Sequence, residues 1–205
     1  MSSSPFLYLA SQSPRRRELL AQVGIAFEVL PLHHAGIADF TVDETPHANE
    51  SPEIYVRRVC LEKARAGLAM VTARGLPVAP VLAADTSVVL GAQILGKADN
   101  LDHAAAMLRS LSGREHRVLS AVAVGLGDKL ELALSTSVVR FAPLSEARIQ
   151  AYLATGEYAD KAGGYAIQGI ASAFIANLSG SYSGVMGLPL FETVELLKQF
   201  DFATL

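Results

Sequence analysis

The sequence predicts a mixed α/β fold, with a largely central twisted sheet and flanking helices. Three observations predict it. Strand-like and helix-like segments alternate without internal repeats, the opening segments read β-α-β, and two β-rich stretches near the middle are joined by a two-residue turn. A β-α-β unit favours parallel pairing and a hairpin must be antiparallel, so the sheet has to be mixed. The 205 residues carry no linker-like stretch and read as a single domain over 1–205, long enough to bury a substantial core.

Residues 6–10 form a short apolar strand. Ser13-Pro14 then offers an N-cap and the proline favoured at a first helical position, and the helix should run to about Val23, where Gly24 fits the stop. Residues 25–30 are a second strand, and residues 33–41 read as loop. Ser51-Pro52 opens a longer helix to about Ala73, followed by a strand over 77–90 interrupted by one acid, Asp85, and a turn at Gly91-Ala92-Gln93. Asp99 caps a helix over 100–111 that Gly113 ends, and the stretches 117–126 and 130–141 form the hairpin through Gly127-Asp128. Ser145 opens a helix to Thr155, residues 171–178 read as a strand, and Pro189 starts a closing helix through Phe200.

Composition excludes several classes. A chain 51% hydrophobic and 18% charged, with 9 Pro and 16 Gly, is neither disordered nor collagen-like. A net charge of -3 gives no overall field to hold a nucleic-acid polymer or an anionic membrane, so phosphate chemistry must use a local cluster. The longest apolar runs fall far short of the roughly 20 residues that span a bilayer, and the first residues lack the basic flank and apolar stretch of a secretory signal. One cysteine, Cys60, suits a reducing compartment, which makes the cytoplasm the expected location. The five histidines show no metal-ligand spacing, and His33-His34 reads as a solvated pair.

Charges in unusual places point to chemistry. Arg15, Arg16 and Arg17 fall in the opening turn of the first helix, where the macrodipole is already positive. Each such cation costs about 0.3–1 kcal/mol in isolation, so the cluster is either a solvated basic turn or the seat of an anion such as a polyphosphate. Lys63 shares a helical face with Val56, Val59, Cys60 and Gly67, and it either snorkels to water or meets a buried acid. Asp85 lies between two apolar runs of one strand. It is either a strand-end residue bonded to local N–H groups or a carboxylate with a cationic or metal partner, hence a candidate base or metal ligand. Asp43-Glu44, Lys97 and the glycine-rich 163–169 stretch are each weaker alone.

Together these segments resemble the Maf family of nucleoside triphosphate pyrophosphatases. The likeness begins with Ser11-Gln12-Ser13-Pro14-Arg15-Arg16 and continues in family order through Asp43-Glu44, residues 51–64 ending in Glu62-Lys63-Ala64, Ala84-Asp85-Thr86, Gly96-Lys97, Leu111-Ser112-Gly113 with His116, residues 160–169 and residues 180–190. Three departures stand out: Gln12 where a small residue is common, Ala98 in place of proline, and an apparent insertion at 33–41 that bears on Glu44 and leaves Asp43 as its fallback. The resemblance implies an elongated, two-lobed, inosine-triphosphatase-like fold with a central cleft, working as a homodimer on a nucleoside triphosphate. It implies hydrolysis to the monophosphate and pyrophosphate with a divalent cation, Mg or Mn. On that basis Asp85 is the base and a metal ligand, Glu44 a second metal ligand, and Lys63 and Lys97 neutralise phosphate charge. Ser11 and Arg16 bind the triphosphate, while Arg15, Thr86 and Gln168 shape base selection.

The stretch 161–169 resembles the dTTP and UTP type, which implies these or modified uridine nucleotides as substrates in a house-cleaning role. The alternatives are the 7-methyl-GTP type of the same family and a nucleotide-binding regulator of septum formation with little turnover. Presence of Asp85, Lys63 and Lys97 together argues for turnover.

Overall fold

The structure, a computed structural model, describes residues 6–32 and 42–204. The 33–41 insertion and the His33-His34 pair lie outside the described residues. In order the elements are β1 (Leu7–Leu9), α1 (Pro14–Gln22), β2 (Phe27–Val29), α2 (Pro52–Ala73), β3 (Val81–Leu90), β4 (Gln93–Leu95), α3 (Leu101–Leu111), β5 (Glu115–Leu126), β6 (Lys129–Phe141), α4 (Glu146–Leu153), a 3-10 turn (Ile170–Phe174), β7 (Ile175–Ser179), α5 (Tyr182–Met186) and α6 (Leu190–Lys198).

The strands form one seven-stranded sheet of order β2-β1-β3-β5-β6-β7, with β4 added to β3. β1 pairs in parallel with β2 and β3, and every later pairing is antiparallel. The mixed sheet expected from the hairpin and the opening β-α-β unit is therefore present.

Alternation along β3 builds both faces of the sheet. Val81 and Ala83 pack under α2 with Val56, Cys60 and Ala64, whereas Leu82 and Ala84 face α1 and α6 with Leu19, Leu20, Leu188 and Leu197. Gly67 allows the first contact to be close, since a Cβ there would stand 2.7 Å from Val81 Cγ1. Continuing the alternation, Asp85 faces α2 and Thr86 faces α1 and α5.

A gap in the sheet locates the cleft. One edge of β3 is covered by β5 from Val81 to Val89. The other edge pairs with β1 only at Val81 and Leu82 and with β4 only at Val88 to Leu90. Between them, at Asp85 and Thr86, no strand among the described residues covers the edge, and side chains of both faces reach one opening.

Five local expectations need correction. Ser13 precedes α1 in extended conformation, but its hydroxyl makes no cap bond, so the first-turn N–H groups stay free. Asn100, rather than Asp99, caps α3, because its side chain accepts from the His103 N–H at 2.9 Å while Asp99 pairs with the His103 ring. The turn expected over 91–93 ends at Ala92, and Gln93 opens β4 with Ile94 and Leu95, to which no element was assigned; the first half of the strand expected over 171–178 is a 3-10 turn before β7. α5 sits where no element was expected, held by the Ser181 side chain accepting from the Gly184 N–H.

Candidate active site

The gap beside β3 opens into a cleft of about 990 Å³, lined by Ser11, Arg15, Arg16, Glu44, Lys63, Asp85, Thr86, Lys97 and Gln168. Every site residue expected from the sequence thus meets in one place, although the residues come from six separate segments.

Lys63 organises the acidic side. Its Nζ lies 2.9 Å from Asp85 Oδ1 and 2.9 Å from Glu44 Oε1, and its side chain is 14% exposed. Between the two readings of Lys63, snorkelling to water or meeting a buried acid, the geometry selects the second. Asp85 itself is 8% exposed. Glu44 reaches this point because the stretch before α2 is tied to that helix. Tyr55 donates its hydroxyl to the Glu44 carbonyl at 2.9 Å, and Arg58 donates to the carbonyls of Asp43 and Thr45. Asp43, the fallback for Glu44, turns away and accepts from the Thr45 N–H. Burial alone would raise the Glu44 carboxyl; the Lys63 ammonium, helped by Lys97 and Arg16, outweighs it and holds that carboxyl below its ordinary value. Burial and the same two carboxylates push the Tyr55 hydroxyl up to about 12.

The basic side is assembled by a turn far along the chain. Arg15 Nε donates to the Met186 carbonyl at 3.3 Å and Arg16 Nε to the Gly187 carbonyl at 2.9 Å. Arg16 Nη1 also donates to Ser11 Oγ at 3.0 Å. Because Nε carries the carbonyl bonds, Arg15 keeps both terminal amino groups and Arg16 one of them for a ligand. Desolvation lowers the Arg16 guanidinium against the pull of Asp85, yet arginine titrates so high that it stays cationic. The open helix start adds free N–H groups to the same wall.

Lys97 is exposed at the rim, just after β4, where its backbone bridges to Ala162. Gln168 is likewise exposed to the cleft. Thr86 Oγ1 lies 3.2 Å from Ser120 Oγ and 3.4 Å from the Gly187 carbonyl. The sequence reading missed Lys161, which lines the cleft near Arg15 and whose pKa is lowered by burial and then by that charge. Its place just before Gly163-Gly164 was the available signal. Arg58 and Ser120 gave no signal, since a surface-type arginine and a small strand serine break no pattern.

The residues fit a divalent cation of the Mg or Mn kind. Glu44 and Asp85 converge on one cationic point, and each keeps an oxygen that bonds no described residue. No cluster of three His, Cys, Asp or Glu occurs among the described residues. Two hard carboxylates suit an ion that retains waters and takes phosphate oxygens, in contrast to one needing a full protein cage.

Comparison with known proteins bears on the same residues. The Maf-like protein family model matches residues 6–200. A Nitrosomonas europaea protein named dTTP/UTP pyrophosphatase is 53% identical over 193 residues, covering 94% of this chain and 93% of its own. Proteins of the same name from Ralstonia nicotianae and Nitrosospira multiformis are each 54% identical, covering 95% and 94% of this chain and 94% and 93% of theirs.

Proposed function

The chain belongs to the Maf family, and from that premise we propose that it hydrolyses dTTP and UTP between the α and β phosphates, releasing the monophosphate and pyrophosphate. One observation carries the reading: an acid pair gathered on Lys63 faces an arginine pair at an open helix start across a single cleft.

Asp85 takes the proton of the attacking water, and Lys63, bonded to Oδ1, fixes the orientation in which it does so. The water oxygen bonds to phosphorus beside the α–β bridge, and the phosphorus–bridge bond breaks with its electron pair passing to the bridging oxygen. Arg16, Ser11 and Lys97 disperse the charge that grows on the phosphates. A divalent cation held by Glu44 and Asp85 would supply further charge neutralisation between carboxylate and phosphate oxygens.

The hydroxyl network bears on base selection. Ser120 spends its hydrogen on the Gly184 carbonyl at 2.6 Å, so the Thr86 hydrogen is shared between Ser120 and Gly187. Thr86 can therefore only accept from a ligand. The imide N–H of uracil or thymine is a donor where cytosine has an acceptor, and the Gln168 amide can serve a neighbouring carbonyl. A mismatched buried group costs about 1–3 kcal/mol, which gives roughly tenfold to hundredfold preference for UTP over CTP.

The test incubates the protein with a panel of nucleoside triphosphates and Mg or Mn, separating pyrophosphate from orthophosphate and comparing kcat/KM. Pyrophosphate from dTTP and UTP, with CTP poorer and Gln168→Ala narrowing the gap, is expected. Preference for 7-methyl-GTP would overturn the pyrimidine assignment, and orthophosphate as first product would overturn the bond assignment.

A further inference from the structure

The segment 180–190 resembles a family block, yet among its residues none reaches the acid pair. Its carbonyls do something else: those of Met186 and Gly187 hold the Nε atoms of Arg15 and Arg16. That turn is in turn held by the sheet face on which it packs. Ser120, 1% exposed on β5, donates to the Gly184 carbonyl at 2.6 Å and touches Thr86 Oγ1, which donates to the Gly187 carbonyl. From the neighbouring strand β6, on the same face of the sheet, Ser137 Oγ accepts from the Ser181 N–H at 2.9 Å, and Ser181 Oγ accepts from the Gly184 N–H at 2.9 Å.

We propose that Ser120 is a positioning residue for the arginine pair, acting through the α5 turn to aim the guanidinium groups at the phosphates of the substrate. The inference rests on reading the cleft as a triphosphate site. Ser120 lies beside Thr86, as its register partner on β5, and is absent from the cleft wall. Its hydroxyl hydrogen-bonds a carbonyl two residues before the first arginine-bearing carbonyl, in a five-residue helix whose short ladder cannot hold its own geometry. Removing the hydroxyl leaves the Gly184 carbonyl only the Gly187 N–H, 2.9 Å away inside the turn itself, so the turn loses its tie to β5 and shifts relative to the sheet. Both arginines shift with it, because both are bonded to the next carbonyls along.

The experiment is a mutant cycle read by calorimetric binding of inorganic tripolyphosphate, with UTP hydrolysis measured in parallel. Ser120→Ala should weaken tripolyphosphate about tenfold in the otherwise unaltered protein and raise KM for UTP more than it lowers kcat. The same substitution made beside Arg15→Ala and Arg16→Ala should cost almost nothing further, since the groups it aims are gone. Ser181→Ala, which loosens the turn at its own N-cap without altering the sheet, should show the same coupling and serves if Ser120→Ala yields too little folded protein. Melting curves identify the folded variants. An equal loss in both backgrounds, no loss in folded Ser120→Ala, or no tripolyphosphate binding by the unaltered protein would overturn the proposal. If tripolyphosphate binds but UTP is not hydrolysed, the proposed function falls while the binding cycle still decides the role of Ser120.

Discussion

Lys63 illustrates how one side chain sets the chemistry of its neighbours. Placed on an apolar helical stripe, it meets Asp85 and Glu44 at 2.9 Å each and so gathers two acids from different segments. Asp85→Asn keeps the shape and can still accept from Lys63 through its amide oxygen, but it cannot take a proton from water. Turnover should fall about 10²- to 10⁴-fold while melting and tripolyphosphate binding stay near those of the unaltered protein. Near-normal turnover in that folded variant would remove Asp85 from the mechanism. Asp85 and Lys63 were legible in the sequence because each is a charge where the pattern demands an apolar residue. The arginine pair was legible because it violates the helix dipole. Glu44 was less so: its position depends on Tyr55 and Arg58 clasping a loop, and no periodicity records a clasp. Ser120 was illegible, since serine is small enough to sit in a buried strand unnoticed.

At the scale of elements, long periodic segments were readable and short ones were not. The hairpin and α2 have enough residues for a pattern to repeat, whereas β4 and α5 owe their conformation to what they touch. β4 depends on the turn at 160–164, where the Gly163 N–H donates to the carbonyls of Leu95 and Gly96 at 3.0 Å. Gly163 has φ +68, and a Cβ there would meet Val88 Cγ1 at 2.9 Å. Because Val88 is branched and packed, Gly163→Ala should cost about 2–4 kcal/mol in backbone strain and overpacking. In a chain of this size that lowers Tm by roughly 5–15 °C, measurable by calorimetry. Lys97 and Lys161 flank the contact, so KM for the triphosphate should rise in whatever folded protein remains. An unchanged Tm would show that the turn is not held as described.

For the whole molecule, acid stability turns on a buried imidazole. His116, 2% exposed, packs edge-on against Phe141 and Tyr165 and shares a 2.8 Å hydrogen bond with the Tyr165 hydroxyl, while its Nδ1 has no partner among the described residues. Burial pulls it from 6.5 down to about 4. The unfolded chain therefore takes up a proton before the folded one does. The contribution of His116 is complete above pH 6.5 and is lost as pH falls from there towards 4. It amounts to about 3 kcal/mol over that window. Urea midpoints should decline between pH 6.5 and 4.5, and His116→Phe, whatever its stability at pH 7, should lack that decline. An identical slope in the variant would assign the effect elsewhere. Glu50 and Glu146, each held down at about 2 by an arginine, contribute losses only below about 4.5.

The bond from Arg16 to Gly187 ties positions 171 residues apart. On a ribosome adding about 5–20 residues per second, that interval is roughly ten to thirty seconds. For most of it the nascent chain already has Ser11, Lys63 and Asp85 but lacks the carbonyls that hold the Nε atoms of its arginines. The bond thus makes nucleotide capture a property of the late chain: a product ending between residues 161 and 185 would carry every charged residue of the cleft and still lack the seat that aims two of them.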